Sequence, residues 1–346
     1  MQNTWLIHII VFVLFPISFF YKASFQHERA CGDILSKNDT DMLRGFAAIS
    51  IMFAHYVVYG MREASPFGGP VIVMQWAGGL GVCLFFFCSG YGLMQTTAKR
   101  KIDFYFLRQR FIRILPTYWI LNVFFVLLRG DMGNGFLSAL LTILGLRNPA
   151  WFIVEILLIY ILYFIVFQVN PKYPVIGMTV MLIIMSAVFF VLNFEARWYN
   201  ANFVFVIGML CSKYKEKIIT WLYRNFFLKL FGCILLFGLL TLVFIGIRGT
   251  VAGDFMKILG GGILCILLIQ LIMKVKLNSP FIIYIGKNSL QLYLIHTNIW
   301  SVFSPFLLGV NIQIKFVICM TASVLCIVLF NACKYGIQNS FMRYKK

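Results

Sequence analysis

Charge is scarce in this sequence. Aspartate and glutamate together number 11 among 346 residues, and charged residues of either sign make up 12%. No long polar interval separates the apolar stretches that run from Trp5 almost to the C-terminus. That shortage excludes a soluble globular domain, whose surface needs far more charge. It leaves no interval for an appended polar catalytic domain, so any chemistry is expected inside one membrane domain. Paired cysteines are missing too: nine cysteines occur, none in a CxxC pair, and all but Cys31 sit in hydrophobic stretches. They read as small packing residues, with neither a disulfide framework nor a metal site expected. Repeats, inverted pairs of broken helices and low-complexity tracts are absent, which weighs against a transporter.

What is present is hydrocarbon. Hydrophobic residues make up 61% and the mean hydropathy is +0.89. A spanning helix needs about 20 mostly apolar residues. Eleven candidates satisfy or approach this: Trp5 to Tyr21, Leu43 to Gly60, Val71 to Met94, Phe111 to Leu128, Trp151 to Gln168, Pro174 to Leu192, Phe203 to Cys211, Phe231 to Ile247, Phe255 to Met273, Leu290 to Leu308 and Ile314 to Lys334. The fold class expected is therefore all-α, a polytopic transmembrane bundle of about 10–11 helices. Trp5 to Tyr21 lacks a basic n-region and a small-residue cleavage site, and Lys22 and Arg29 follow it, so it reads as a retained span. Phe136 to Leu146 is too short to cross and is expected at the interface.

The net charge of +19 does not point to nucleic acid, because the basic residues lie in short clusters between apolar segments. Alternating the loops gathers Lys22, Arg29, Lys37, Arg44, the run from Lys99 to Arg113, Lys172, the run from Lys213 to Lys229, Lys274, Lys276, Lys287 and the C-terminal lysines on one side. By the positive-inside rule that side is cytoplasmic, the N-terminus is outside and the C-terminus inside.

Ionisable groups in hydrocarbon are expensive, roughly 2.5–3.5 kcal/mol each on insertion scales, so those present are functional candidates. Few are. Among acidic residues only Glu155 lies well within a span, and among the four histidines His55 and His296 do, with His8 in the first helix. His296 stands open between a packing role and a functional one. His55 is eleven residues past Arg44, which places it on the order of 16 Å along a helix, in the outer half of a bilayer. Glu155, four residues past Trp151 on a helix entering from outside, falls at about the same depth. An imidazole suits a general base near neutral pH, and a carboxylate at its depth can orient it and balance its protonated form. The bland alternative for Glu155 is a protonated or interhelical hydrogen-bonding group. Arg110 and Arg113 share one helical face, where paired guanidinium forks suit phosphate oxygens. Ser89, Gly90 and Tyr91 form a polar, close-approach patch, which helix packing alone would explain.

Five segments in order carry a resemblance: Leu43-Arg-Gly-Phe-Ala-Ala-Ile-Ser-Ile-Met-Phe-Ala-His-Tyr56, Phe85-Phe-Phe-Cys-Ser-Gly-Tyr91, Arg110-Phe-Ile-Arg-Ile-Leu-Pro-Thr-Tyr118, Trp151-Phe-Ile-Val-Glu155 and Ser289-Leu-Gln-Leu-Tyr-Leu-Ile-His296. Together they resemble the acyltransferase 3 family, membrane enzymes that acylate sugars, over roughly residues 41–335. The resemblance implies an O-acyltransferase of the plasma membrane that takes an acyl group, expected to be acetyl, from acyl-coenzyme A to a hydroxyl of a surface or exported glycan. In that frame His55 and Glu155 are the catalytic candidates. Arg110 and Arg113 match the family's Arg-x-x-Arg motif and are expected to hold the coenzyme A phosphates, with Arg44, Ser89 and Tyr91 as further donor-site candidates. Acetyl-coenzyme A or another acyl-coenzyme A is the expected co-substrate, and the partners are that donor, a glycan or lipid-linked glycan and membrane lipid. Residues 1–40 precede the usual start of the family core and read as an accessory helix and loop, with 41–346 as the membrane domain. Direct attack is the simpler mechanism; Cys88, beside Ser89, is the residue that would serve a covalent acyl-cysteine route. The alternatives are acylation of a lipid, a peptidoglycan precursor or a small metabolite and, outside enzymes, a glycan-precursor transporter or flippase.

Overall fold

The computed structural model describes residues 5–64, 73–147, 150–247 and 249–343. The first two residues of the expected third span and the last two lysines lie outside these. Helices dominate: α1 (Trp5–Phe20), α2 (Lys37–Ala64), α3 (Val73–Thr97), α4 (Phe104–Leu128), α5 (Phe136–Leu144), α6 (Trp151–Val169), α7 (Pro174–Val191), α8 (Val204–Lys213), α9 (Lys215–Tyr223), α10 (Phe226–Ile247), α11 (Val251–Lys274), α12 (Pro280–Lys287), α13 (Ser289–Phe303) and α14 (Ile312–Arg343). Among the described residues eight helices are long and apolar enough to cross a membrane, and α1 and α8 are shorter apolar helices.

The bundle is organised around α3, which packs on α2, α8 and α11 and fully buries Leu84, Phe86, Phe87 and Cys88. Close approach depends on glycine. A Cβ at Gly90 would sit 2.0 Å from the carbonyl oxygen of Phe205, and one at Gly208 would sit 2.2 Å from that of Phe87. Likewise a Cβ at Gly286 would meet the Asp41 carbonyl at 1.8 Å, so α12 lies directly on α2. In lipid such backbone contacts, more than solvent exclusion, hold helices together. By contrast α10 buries none of its apolar window and stands at the lipid edge against α11.

Several boundaries differ from expectation for local reasons. Asp103 accepts a bond from the Phe106 backbone N–H at 2.8 Å and so starts α4 seven residues before Phe111, carrying Arg108, Arg110 and Arg113 as helix. Thr250 caps α11 at its start in the same way. The expected span Leu290 to Leu308 belongs to a broken pair, α12 and α13, interrupted at Asn288. Ser279 and Pro280 start α12. At the break, the Asn288 side-chain amide donates to the Tyr284 carbonyl and its oxygen accepts from Asn331.

The boundary expected at residue 40 falls inside α2, and the segment before it is woven into the bundle. Phe15 of α1 stacks on Phe46, and Phe19 packs against the same ring at a tilt. The two-residue strand β1 (Ser24–Phe25) pairs antiparallel with β2 (Val275–Lys276). Arg29, almost fully buried, forms an ion pair with Asp39 and donates to the carbonyls of Ile272 and Asp33. Removing one partner of so buried a pair costs about 3–5 kcal/mol, because the remaining charge is stranded.

Candidate active site

The N-terminal end of α2, the start of α4, and the ends of α3, α6 and α11 share the basic face of the bundle. His55, three turns above Arg44, points toward the opposite end. Its Nδ1 lies 2.7 Å from Nε2 of His296 on α13, with the rings 11° from parallel. Nδ1 of His296 is in turn 2.7 Å from the carbonyl oxygen of Leu292. A carbonyl only accepts, so a neutral His296 carries its proton on Nδ1 and offers Nε2 as a lone pair. His55 must then donate from Nδ1, which leaves its Nε2 as the basic nitrogen. His296 is fully buried, whereas His55 borders open space and has Tyr59 stacked beside it.

That space is a polar cavity of about 930 Å³ at the end away from the basic face. Its walls come from the outer turns of α4 and α13, from α5, and from the loops carrying Arg147 and Arg197. α5 turns its Phe136, Leu137, Leu140 and Leu144 outward and its Ser138, Ala139 and Thr142 toward the cavity. Asn122 of α4 holds it by donating to the carbonyls of Thr142 and Ile143. Gly145, in the left-handed region at φ 76°, ends α5 where a side chain would collide with the Tyr118 hydroxyl. Arg129 binds Asp131 at 2.8 Å and also donates to Asn298, whose own amide is fixed on the Leu294 carbonyl. A smaller cavity of about 250 Å³ adjoins, sharing His55, Trp151, Arg197 and Tyr293 and adding Lys257.

A second cavity, of about 410 Å³, opens toward the basic face. Lys37, Asp41, Arg44, Arg113 and Lys287 line its mouth and Ser89, Phe152 and Tyr293 its interior. Arg44 is held by Asp41 at 3.5 Å. Tyr293 lines this cavity and the polar one as well, packed on Phe152 with ring centroids 5.3 Å apart.

Of the residues expected at a donor site, Arg44, Arg113 and Ser89 are thus brought together. Arg110 and Tyr91 are not in that lining: the Arg110 guanidinium lies over the Phe106 ring, 4.8 Å from its centroid, and Tyr91 is buried, stacked on Phe87. Cys88 is fully buried and borders none of these cavities. Glu155 is fully buried and is not among the α6 residues that line the cavity, Phe152, Ile153, Ile156 and Tyr160. By geometry neither of its oxygens makes a hydrogen bond among the described residues, although the Asn202 side chain lies beside it, and the imidazole it was expected to orient is paired with His296 instead. No group of three or more potential metal ligands occurs among the described residues.

Sequence reasoning passed over Arg129, Arg147, Arg197, Asn298 and Tyr293. The arginines carried a usable signal, since they fall on the side that loop counting leaves poor in cations. Tyr293 stands inside the fifth motif segment, three residues before His296, but its residue type alone did not set it apart from the many aromatics around it.

No curated protein and no solved structure matches the chain. The family model of the acyltransferase domain does match, over residues 38–332, a stretch that holds the histidine pair, the whole lining of the polar cavity, that of the basic cavity except Lys37, and all five motif segments. This chain therefore belongs to the acyltransferase 3 family, as a multi-helix membrane protein built for acyl transfer.

Proposed function

We propose that the protein transfers an acyl group from acyl-coenzyme A, bound at the basic cavity, to a hydroxyl of a glycan bound in the polar cavity. The observation that carries this reading is the placement of His55 in the wall of the polar cavity with its Nδ1 locked on His296, which leaves Nε2 as its basic nitrogen. The acceptor hydroxyl gives its proton to Nε2 of His55 as its oxygen attacks the thioester carbonyl. The C–S bond then breaks, and the departing thiolate takes the proton back from Nε2. While that proton rests on His55, the imidazolium is stabilised by the lone pair on Nε2 of His296, so the chemistry needs no carboxylate.

Arg44, Arg113, Lys37 and Lys287 supply the cationic mouth that coenzyme A phosphates require. The nucleotide would stay there while the pantetheine arm enters past Ser89 toward Tyr293. With the basic face cytoplasmic, by the positive-inside rule, the acyl group reaches an acceptor on the far side of a plasma membrane without coenzyme A crossing it. Oriented proteoliposomes test this. Acetyl-coenzyme A should release its thiol only when supplied at the face bearing the C-terminus, with an impermeant glycan acceptor at the other. A requirement for both on one face would overturn the sidedness. Absence of thiol release with every acceptor would overturn the reaction.

A further inference from the structure

The charge of the polar cavity is out of keeping with its place in the bundle. Three guanidinium groups from three separate segments converge on it: Arg129 at the end of α4, Arg147 after α5, and Arg197 in the turn before α8. One acid, Asp131, lines the same space, and it is bound to Arg129. Arg147 donates to the neutral Ser138 hydroxyl. Arg197 is held by Glu195, which is largely exposed and lies outside the lining. Arginines therefore outnumber acids three to one around the histidine pair.

A cationic cluster at this end has no anchoring explanation. Basic side chains that orient a membrane protein gather at the other face, as Lys37, Arg44, Arg113 and Lys287 do here. Guanidinium forks differ from lysine in matching the planar oxygens of carboxylate and phosphate, and all three cations are arginine. The remaining lining of asparagine, serine and threonine groups with aromatic faces suits sugar hydroxyls and C–H bonds, and about 930 Å³ lies in the range of small-molecule sites.

Building on the acyl-transfer reading, we infer that the acceptor is anionic: a glycan bearing a carboxylate or phosphate close to the hydroxyl that is acylated, its charge received by Arg147 and Arg197. Arg129, tied to Asp131 and Asn298, is the rigid wall against which the sugar is placed. Two sources share this chemistry, a uronic-type sugar and a phosphate-linked glycan precursor.

Calorimetry on the detergent-solubilised full chain separates them, with methyl glucoside, methyl glucuronide and glucose 1-phosphate as probes. At least one charged sugar should bind about tenfold more tightly than the glucoside, the size expected of a charge-assisted pair. Preference for the glucuronide assigns the carboxylate, and preference for glucose 1-phosphate assigns the phosphate. Arg147→Gln and Arg197→Gln should each remove most of the preference while leaving the unfolding midpoint in place. Equal affinities for all three sugars, including no binding by any, overturn the inference, as does a preference that survives both substitutions. Thiol release from acetyl-coenzyme A is read separately. Charge preference without transfer removes the proposed reaction and leaves this inference; transfer without charge preference does the reverse.

Discussion

The hydroxyl of Tyr56 lies 2.7 Å from the Ser323 hydroxyl, which itself donates to the Cys319 carbonyl, so Tyr56 is the donor across this contact. The same hydroxyl is 3.2 Å from the carbonyl oxygen of His296. One residue along α2 from His55, it fastens that helix to both α13 and α14. A phenylalanine at position 56 would keep the ring contacts with Trp300 and Phe316 but take away the one proton that the hydroxyl donates to Ser323. Tyr56→Phe should cost about 1 kcal/mol, read as a lower unfolding midpoint, and should slow turnover less than loss of His55 does. An unmoved midpoint with unmoved turnover would mean that the contact does not hold the histidines in place.

His55→Ala should leave the protein inserted and able to bind donor while lowering kcat by about 10²–10⁴-fold, since it removes a proton-transfer group and little packing. Thiol release by single turnover, beside a donor-binding measurement, checks both halves. Near-normal turnover would take the base away from His55.

His296→Phe is a sharper probe, because the residue touches no space where a substrate fits and acts through its neighbour. Freed from Nε2 of His296, His55 can put its proton on either nitrogen, and kcat should fall about 10²-fold with KM for the donor little changed. His296→Gln, which still offers an acceptor to Nδ1 of His55, should recover part of the loss. A matching rise in KM, or equal defects in both variants, would point to simple misfolding of α13.

Arg113→Ala and Arg44→Ala should weaken coenzyme A binding, and lysine at either position should restore it only in part, because a point charge lacks the planar fork. Arg110→Ala should instead lower stability, as its guanidinium covers Phe106. Titration calorimetry with coenzyme A distinguishes these outcomes. Unchanged affinity in the Arg113 and Arg44 variants would empty the basic cavity of its role.

Glu155→Gln should be neutral or stabilising. The side chain is fully buried and makes no hydrogen bond of good geometry among the described residues, with the Asn202 side chain beside it, and an amide of the same shape carries no charge into the bundle. Abolished transfer in a well-folded Glu155→Gln protein would place the carboxyl in the chemistry after all.

Much of this was legible in the residues themselves. The spans follow from apolar length, and His55 announced itself because an imidazole in hydrocarbon is costly. The pairing of His55 with His296 was not readable, for it joins residues 241 positions apart through the way α12 and α2 touch at Gly45 and Gly286. Glu155 looked like the partner because depth along a helix can be counted from sequence, whereas the direction around it depends on neighbours. Arg110 and Arg113 share a face by spacing, yet only one reaches the cavity because Phe106, four residues before Arg110, offers its ring to the other.

Tyr293 borders the cavity at each end of the bundle, packed against Phe152, and this bears on more than catalysis. Two polar vestibules that met would form a water-filled path across the bilayer, and the histidine pair beside it would relay protons down any gradient the membrane holds. The Tyr293 ring, shared by both linings, stands where the vestibules would join, in position to bar water until the donor's arm displaces it. Ion tightness, measured as the proton permeability of vesicles carrying Tyr293→Ala, belongs to the design of the enzyme as much as its rate does.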